Sequence, residues 1–387
     1  MNFEMSTILK ILLLTNIYNG QNNFRKEIIE TLIGKGHEVV LAAPICYDSA
    51  KNKPAAYRII DTPFNRHSIN PLKDIWLAIR YVKLLIEERP DVVLTFTIKP
   101  NVYGGLACSL CRIPQLANIT GLGLAVERKG RLQKVAVMLY RIGLMKTHTV
   151  FFQNMSNMHF CEERGIGKRR KILLPGSGVN LNHFSLQKYP PESPLKFIFL
   201  GRVMREKGIE EYVSAARIIK KRHPNTEFHI VGACEPEYAD RISYEQNGSI
   251  VYHVRQADVR PFISMCHCMI HPSYYPEGMS NVLLESCATG RPIITTDRPG
   301  CREIVEDGVN GFVIKLKDVD DLVRKIEQFI ALPYENKREM GLAARRKVER
   351  EFDRQIVVSE YLTTIESIAN SSSKDALDEL RNVNIEL

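Results

Sequence analysis

The sequence predicts an α/β chain of two Rossmann-like, doubly wound domains, and three observations carry that prediction. At 387 residues it is long enough to bury two separate cores. From residue 8 onward, apolar runs of strand length alternate with segments of helical period, the pattern of a parallel sheet covered by helices. The pattern then restarts. The polar stretch 181–194, with Tyr189-Pro190-Pro191, reads as a linker, and a new strand opens at Phe197 and runs into a glycine-rich turn.

Residues 8–15 are an apolar run and residues 24–33 carry helical period up to Gly34-Lys35-Gly36. Residues 38–43 form the next strand, so the chain begins with a βαβ unit. No Gly-x-Gly-x-x-Gly follows the first strand, which argues against a classical NAD or FAD domain. The loop Asn19-Gly20-Gln21 is placed to approach a diphosphate. A short strand at Ile59-Ile60, a strong amphipathic helix over 72–88 and a strand over 91–96 come next. Two loops then follow strand ends: 97–105, carrying Lys99 and Asn101, and Thr120-Gly121-Leu122-Gly123 after a strand at 115–119. Ligands of doubly wound sheets sit beyond the carboxyl ends of strands, where both loops lie. The stretch 128–146 has bases at one end and a broad apolar face. It can pack into the core with its bases solvated or lie on an anionic bilayer surface. A strand at 150–153, a helix at 157–163 and a strand at 171–174 lead to Pro175-Gly176-Ser177-Gly178-Val179-Asn180.

In the second half, the strand 197–200 enters Gly201-Arg202 and then Lys207-Gly208 at the head of a helix over 211–221. Two cations thus stand at one strand end, and Arg grips phosphate bidentately while Lys acts as a point charge. Strands are read at 227–231, 250–254 and 268–271, with a short helix at 260–265. The stretch from Tyr275 to Ile294 reads as a loop, a helix, a Gly-Arg-Pro break and a strand. Glu277 stands on the loop and Glu285 eight positions later inside the helix. Gly278 permits close backbone approach, and Ser280 or Asn281 is a candidate cap. Free N–H groups at such a helix start attract a phosphate, and carboxylates accept from paired sugar hydroxyls. Phosphate, ribose and hexose together spell a sugar nucleotide.

Glu277 to Glu285, with Gly-Met-Ser-Asn-Val-Leu-Leu between, resembles the paired-glutamate signature of the retaining glycosyltransferases of family 4, which have the GT-B fold. The flanks His271-Pro272-Ser273 and Ala288-Thr289-Gly290-Arg291-Pro292-Ile293-Ile294 agree. The loops at Lys99 and Thr120 resemble a subgroup that builds bacterial polysaccharides and lipid-linked oligosaccharides. The resemblance implies two domains facing across a cleft that closes to expel water. Residues 1–185 would bind the acceptor, 186–352 would bind the nucleotide sugar, and 353–387 would cross back to the first domain. It implies donor contacts at Gly20, Gly201, Arg202, Lys207, Val254, Arg255, Glu277, Gly278, Met279, Ser280, Asn281 and Glu285, with Glu277, Arg202 and Lys207 catalytic. Acceptor contacts fall to Lys99, Asn101 and Thr120. The family often carries a first-domain histidine near the donor sugar. His67 and His148 match that position poorly, and Lys99 is the substitute candidate.

The donor implied is a UDP-linked hexose or N-acetylhexosamine, and the acceptor a polyprenyl-diphosphate-linked sugar. No metal is expected. Asp318-Val319-Asp320 has the form of a metal–nucleotide motif but sits where an Asp caps a helix over 321–330. The net charge of +9 favours acidic partners. Nucleic acid is not expected, because no aromatic–basic cluster accompanies the charge. The nine cysteines lack paired zinc spacing, so they read as thiols of a reducing cytoplasm. No apolar run reaches the length of a spanning helix, and residues 1–10 lack a basic signal region. The expectation is a cytoplasmic protein, peripheral at the inner face of the plasma membrane. The rivals on the same residues are a sugar-nucleotide epimerase and a non-catalytic sugar-nucleotide binder.

Overall fold

The computed structural model describes residues 8–16, 18, 25–45, 56–65, 70–123, 126, 130–245 and 248–383. The chain divides into two compact units. One takes in Met1–Leu174 and Ile356–Leu387, the other Pro175–Gln355.

The first unit carries the strands β1 (Lys10–Leu14), β2 (Glu38–Ala43), β3 (Arg58–Asp61), β4 (Val92–Phe96), β5 (Gln115–Ile119), β6 (Thr149–Phe152) and β7 (Arg170–Leu173). They form a parallel sheet in the order β3-β2-β1-β4-β5-β6-β7. Its helices are α1 (Lys26–Gly34), α2 (Pro71–Glu88), α3 (Gly105–Cys111), α4 (Arg131–Gly143) and α5 (Met155–Glu163). The central strands are buried on both faces, which is why they read as unbroken apolar runs. The boundaries of α2 follow from its ends. The Asn70 side chain accepts from the N–H groups of Leu72 and Lys73, Pro71 fixes the first turn, and Arg89 stops the helix in the left-handed region.

The second unit carries β8 (Leu195–Leu200), β9 (Thr226–Val231), β10 (Val251–His253), β11 (Cys268–His271), β12 (Ile293–Thr296) and β13 (Gly311–Ile314). They form a parallel sheet in the order β10-β9-β8-β11-β12-β13. Its helices are α6 (Ile209–Arg222), α7 (Ala239–Glu245), α8 (Arg260–Met265), α9 (Asn281–Ala288), α10 (Val319–Ala331) and α11 (Tyr334–Glu351). The Asp318 carboxylate accepts from Asp321 N–H at 2.9 Å, so the Asp-x-Asp caps α10 as the sequence suggested.

The structure moves the expected boundary. Residues 175–185 belong to the second unit, because Gly176 and Gly178 pack there. A Cβ on Gly176 would lie 2.5 Å from the Met279 Cβ, and one on Gly178 would lie 2.6 Å from the Arg354 Cα. Val179 also donates to Phe352 O at 2.8 Å. The last helix, α12 (Arg354–Val383), runs without a break through residues 369–383. Its Tyr361 returns to the first unit, where the hydroxyl bonds Asn118 and the ring packs on Phe151. Residues 97–105 are not the expected open loop. Pro100–Gly104 is a π-helical turn that runs into α3.

Candidate active site

In the second unit, the segments that follow β8, β11 and β12 meet at the carboxyl edge of the sheet. β8 ends at Gly201, whose φ of +143° suits glycine. No heavy atom lies within 4 Å of where a Cβ would stand, so one side of this backbone is open. A single helical turn, Arg205–Lys207, leads to Gly208, also left-handed at +78°. A Cβ on Gly208 would sit 2.2 Å from Pro272 O. Only glycine lets the head of α6 close onto the end of β11, and that approach brings Lys207 to the motif loop.

There the Lys207 ammonium is hydrogen-bonded to the Glu277 carboxylate, and both side chains are mostly buried. His271, fully buried at the end of β11, places its Nε2 3.7 Å from the same Glu277 oxygen and 3.2 Å from Ser280 Oγ. Burial alone would push the Glu277 carboxyl up, but Lys207 and His271 outweigh it and hold it down at about 2. Burial pushes the His271 ring down, aided by Lys207 and opposed by Glu277. Its Nδ1 has no partner among the described residues.

Arg202 is half exposed. Its guanidinium is 3.7 Å from Glu235 and lies 5.7 Å over the Tyr275 ring. Glu285 is half buried in α9, and burial pushes its carboxyl up to about 8 against the pull of Arg354. Val254 and Arg255, both exposed, follow β10. The edge thus offers two cations, an open glycine backbone, one carboxyl held down at about 2 and one pushed up to about 8.

The motif loop is held differently from the expectation. Ser280 stands at the N-cap of α9, yet its hydroxyl goes to His271 and makes no cap bond. Its N–H donates to Gly300 O at 2.8 Å, so that N–H is taken and cannot serve a phosphate. The Met279 side chain is buried, which leaves only its backbone for a ligand. Asn281 keeps a buried Oδ1 without a partner among the described residues. Gly278 and Gly300 lie back to back, a Cβ on Gly300 being 2.9 Å from Gly278 O.

The acceptor-side candidates lie in the first unit. Lys99 follows β4 and Thr120 follows the neighbouring β5; both are partly buried. The Lys99 Nζ is 2.7 Å from the Asp74 carboxylate on α2. This pair borders a cavity of about 820 Å³ walled by Phe64, Leu72 and Trp76. Asn101 is a correction. It is fully buried, accepts from Thr95 Oγ1 at 2.7 Å and donates to Asn118 O at 2.7 Å. It fastens the turn that presents Lys99 and is out of reach of a ligand. Gly20 and His67 lie outside the described residues. His148 lies at the amino end of β6, away from the strand ends that carry Lys99 and Thr120.

Sequence reasoning missed Asp74 and gave His271 no role of its own. Asp74 sits in the first turn of a helix, where an acid needs no partner to be explained. The end of a strand next to the motif was the available signal for His271.

Comparison with known proteins places both halves of the chain in glycosyltransferase families. Residues 184–347 match the family described as Glycosyl transferases group 1, and residues 10–154 match Glycosyl transferase 4-like. The chain is 25% identical, over 88% of its length and 94% of the relative, to the N,N'-diacetylbacillosaminyl-diphospho-undecaprenol alpha-1,3-N-acetylgalactosaminyltransferase of Campylobacter jejuni. It is 26% identical to the capsular polysaccharide biosynthesis glycosyltransferase CapM of Staphylococcus aureus, over 80% of this chain and 84% of that one. Its fold is similar to that of Anabaena Alr3699/HepE in complex with UDP and glucose. That match has a TM-score of 0.76 and 17% identity, and covers 93% of this chain and all of the other.

Proposed function

The chain belongs to the family 4 glycosyltransferases of the GT-B fold, and from that premise we propose a retaining transferase with a UDP-sugar donor and a polyprenyl-diphosphate-linked acceptor. The sugar moved is a hexose or N-acetylhexosamine. The observation that carries the donor half is the convergence of Arg202, the Lys207–Glu277 pair and the open Gly201 backbone at one sheet edge.

The reaction breaks the bond between the anomeric carbon and a β-phosphate oxygen, and negative charge grows on the departing diphosphate. Arg202, Lys207 and the backbone N–H groups of Met279 and Asn281 are the groups at hand to meet that charge. Glu277, held ionised, accepts from sugar hydroxyls and orients the ring, while its pairing keeps Lys207 in position. Glu285 takes the ribose hydroxyls, and Val254 and Arg255 flank the base. In retention with front-face attack, the acceptor oxygen bonds the anomeric carbon as the phosphate leaves, and the acceptor proton passes to the leaving phosphate oxygen. These cations take the role that a metal has elsewhere, so the reading includes no metal.

The acceptor half rests on the first unit. Lys99, steadied by Asp74, and Lys73 border an apolar cavity, and α2 continues that wall outward with exposed Leu72, Ile75, Trp76 and Ile79. Ammonium groups beside an apolar wall suit a diphosphate that carries a prenyl chain, and Thr120 is left to the acceptor sugar. The Campylobacter jejuni relative is named for a diphospho-undecaprenol acceptor, which supports the same reading. No helix of the described residues is long and apolar enough to cross a membrane. The protein would work from the cytoplasmic side, resting on the inner face of the plasma membrane through α4. That helix has no acidic residue and exposes Leu132, Val135, Met138 and Ile142 among Arg131, Lys134 and Arg141.

The test is a product assay with a panel of UDP-sugars and a synthetic polyprenyl-diphosphate sugar. The expected product is a lengthened lipid-linked glycan with the donor's anomeric configuration. Donor epimerised without acceptor, or nucleotide bound with no transfer, would contradict the proposal.

A further inference from the structure

A second cavity opens in the first unit, at the amino ends of β5, β6 and β7, the edge opposite the strand ends that carry Lys99 and Thr120. It measures about 230 Å³ and is bordered by Arg112, Lys146, Arg169 and His148, with Ser109 on its wall. Arg112, Lys146 and Arg169 are exposed and have no acidic partner among the described residues. Arg169 lies within the run Lys168-Arg169-Arg170-Lys171, and no acidic residue lines the cavity. Arg112 closes α3 with φ +59°, a conformation that favours glycine or asparagine. The carbonyl end of α3 takes up part of its charge, which leaves Lys146 and Arg169 uncompensated.

Two large apolar side chains are neighbours in sequence of the lining residues. Leu110, next to Ser109, is 75% exposed, and Met145, next to Lys146, is 61% exposed. Met145 stands two positions past the end of α4, whose exposed apolar side chains include Ile142. A soluble phosphate needs the cations but not this rim. A phospholipid needs both, because its headgroup is anionic and its chains begin beside it.

We propose that this cavity seats the phosphate headgroup of an anionic phospholipid, with Leu110, Met145 and the α4 row dipping into the acyl boundary. It is a site separate from the donor and acceptor sites, and it rests on the peripheral-membrane reading of α4.

The experiment is vesicle flotation of the full chain, with phosphatidylcholine vesicles and with the same vesicles carrying phosphatidylglycerol. Three variants are compared. Arg112→Gln/Arg169→Gln removes two lining charges. Lys26→Gln/Lys83→Gln removes two charges elsewhere on the same unit. Ser109→Phe fills the cavity and leaves the charge intact. Thermal melting in the absence of lipid confirms that each is folded, and Ser109→Leu replaces the plug if Ser109→Phe is not. The expected result is flotation that depends on phosphatidylglycerol, reduced about tenfold by the lining-charge variant and several-fold by the plug, and by less than twofold in the distant-charge variant. Native protein that does not float would overturn the membrane reading and this site together. Flotation lowered equally by both charge variants, with no effect of the plug, would overturn the site alone and leave a diffuse attraction. Plug-sensitive binding of soluble glycerol phosphate without flotation would assign the cavity to a free phosphoester and overturn the lipid.

Discussion

The Lys207 ammonium donates to the Glu277 carboxylate, a partner seventy positions away in sequence, at the carboxyl edge of the second unit's sheet. Both side chains are 14% exposed, so each is the other's main compensation. Removing one leaves a charge stranded in a poorly solvated place. Lys207→Ala and Glu277→Ala are each expected to cost about 3 kcal/mol of stability. The double variant should cost clearly less than the sum, read from denaturant unfolding as a double-mutant cycle.

Arg202 gives the contrasting case. It is half exposed and its contact with Glu235 is loose. Arg202→Ala should therefore leave the melting temperature within about 1 °C of native, as expected for a surface change. Its effect falls on turnover, with a loss of about a hundredfold if the guanidinium meets the charge on the leaving diphosphate. Steady-state kinetics beside a melting curve separate the two effects.

The two glutamates of the motif are tuned in opposite directions, which gives a pH signature. Glu277 is depressed to about 2. Its contribution to stability is present above its unfolded value and is lost only as pH falls through about 2, so it stays constant across the neutral range. Glu285 is raised to about 8. The folded state then holds a proton that the unfolded chain has released, so this residue's contribution falls as pH rises from about 4.5 to about 8. Glu285→Gln removes that slope. Melting curves of native and variant protein should diverge in the variant's favour as pH is raised through this window.

Gly208 is expected to tolerate no side chain. A Cβ there meets backbone, the Pro272 carbonyl, at 2.2 Å, and the residue is left-handed besides. Gly208→Ala should cost about 2 kcal/mol or more and weaken donor binding, because the head of α6 must retreat and take Lys207 with it. Calorimetric titration with UDP checks the second part.

Asn101→Ala distinguishes the corrected role of that residue from the expected one. Its amide ties Thr95 to Asn118 inside the first unit's sheet. The variant should melt lower by several degrees, and its KM for the acceptor should rise no more than that of Thr95→Ala, which loosens the same turn without reaching a ligand.

Much of this was legible in the sequence because it is local. β5, β11 and α8 lie where period and turn residues put them, and the glutamate pair announced a loop turning into a helix. The rest depends on contacts between distant segments. The unit boundary shifts to Leu174–Pro175 because Gly176 and Gly178 need Met279 and Arg354 against them, which no local signal encodes. Ser280 looked like a cap, but His271 and Gly300 take its hydroxyl and its N–H. Asp74 occupies a first-turn position that needs no partner to explain it, and only the packing of α2 shows it gripping Lys99. The π-helical turn at Pro100–Gly104 was read as loop because proline and glycine at its two ends mimic turn punctuation.

Calorimetric titration of UDP against UMP asks whether the second unit's sheet edge holds a nucleotide through its diphosphate. UDP should bind at least about tenfold tighter than UMP, since the β-phosphate is what Arg202 and Lys207 would grip. Arg202→Ala should bring the two affinities together. Equal affinity of the native protein for UDP and UMP, or binding of neither, would contradict a hold through the diphosphate.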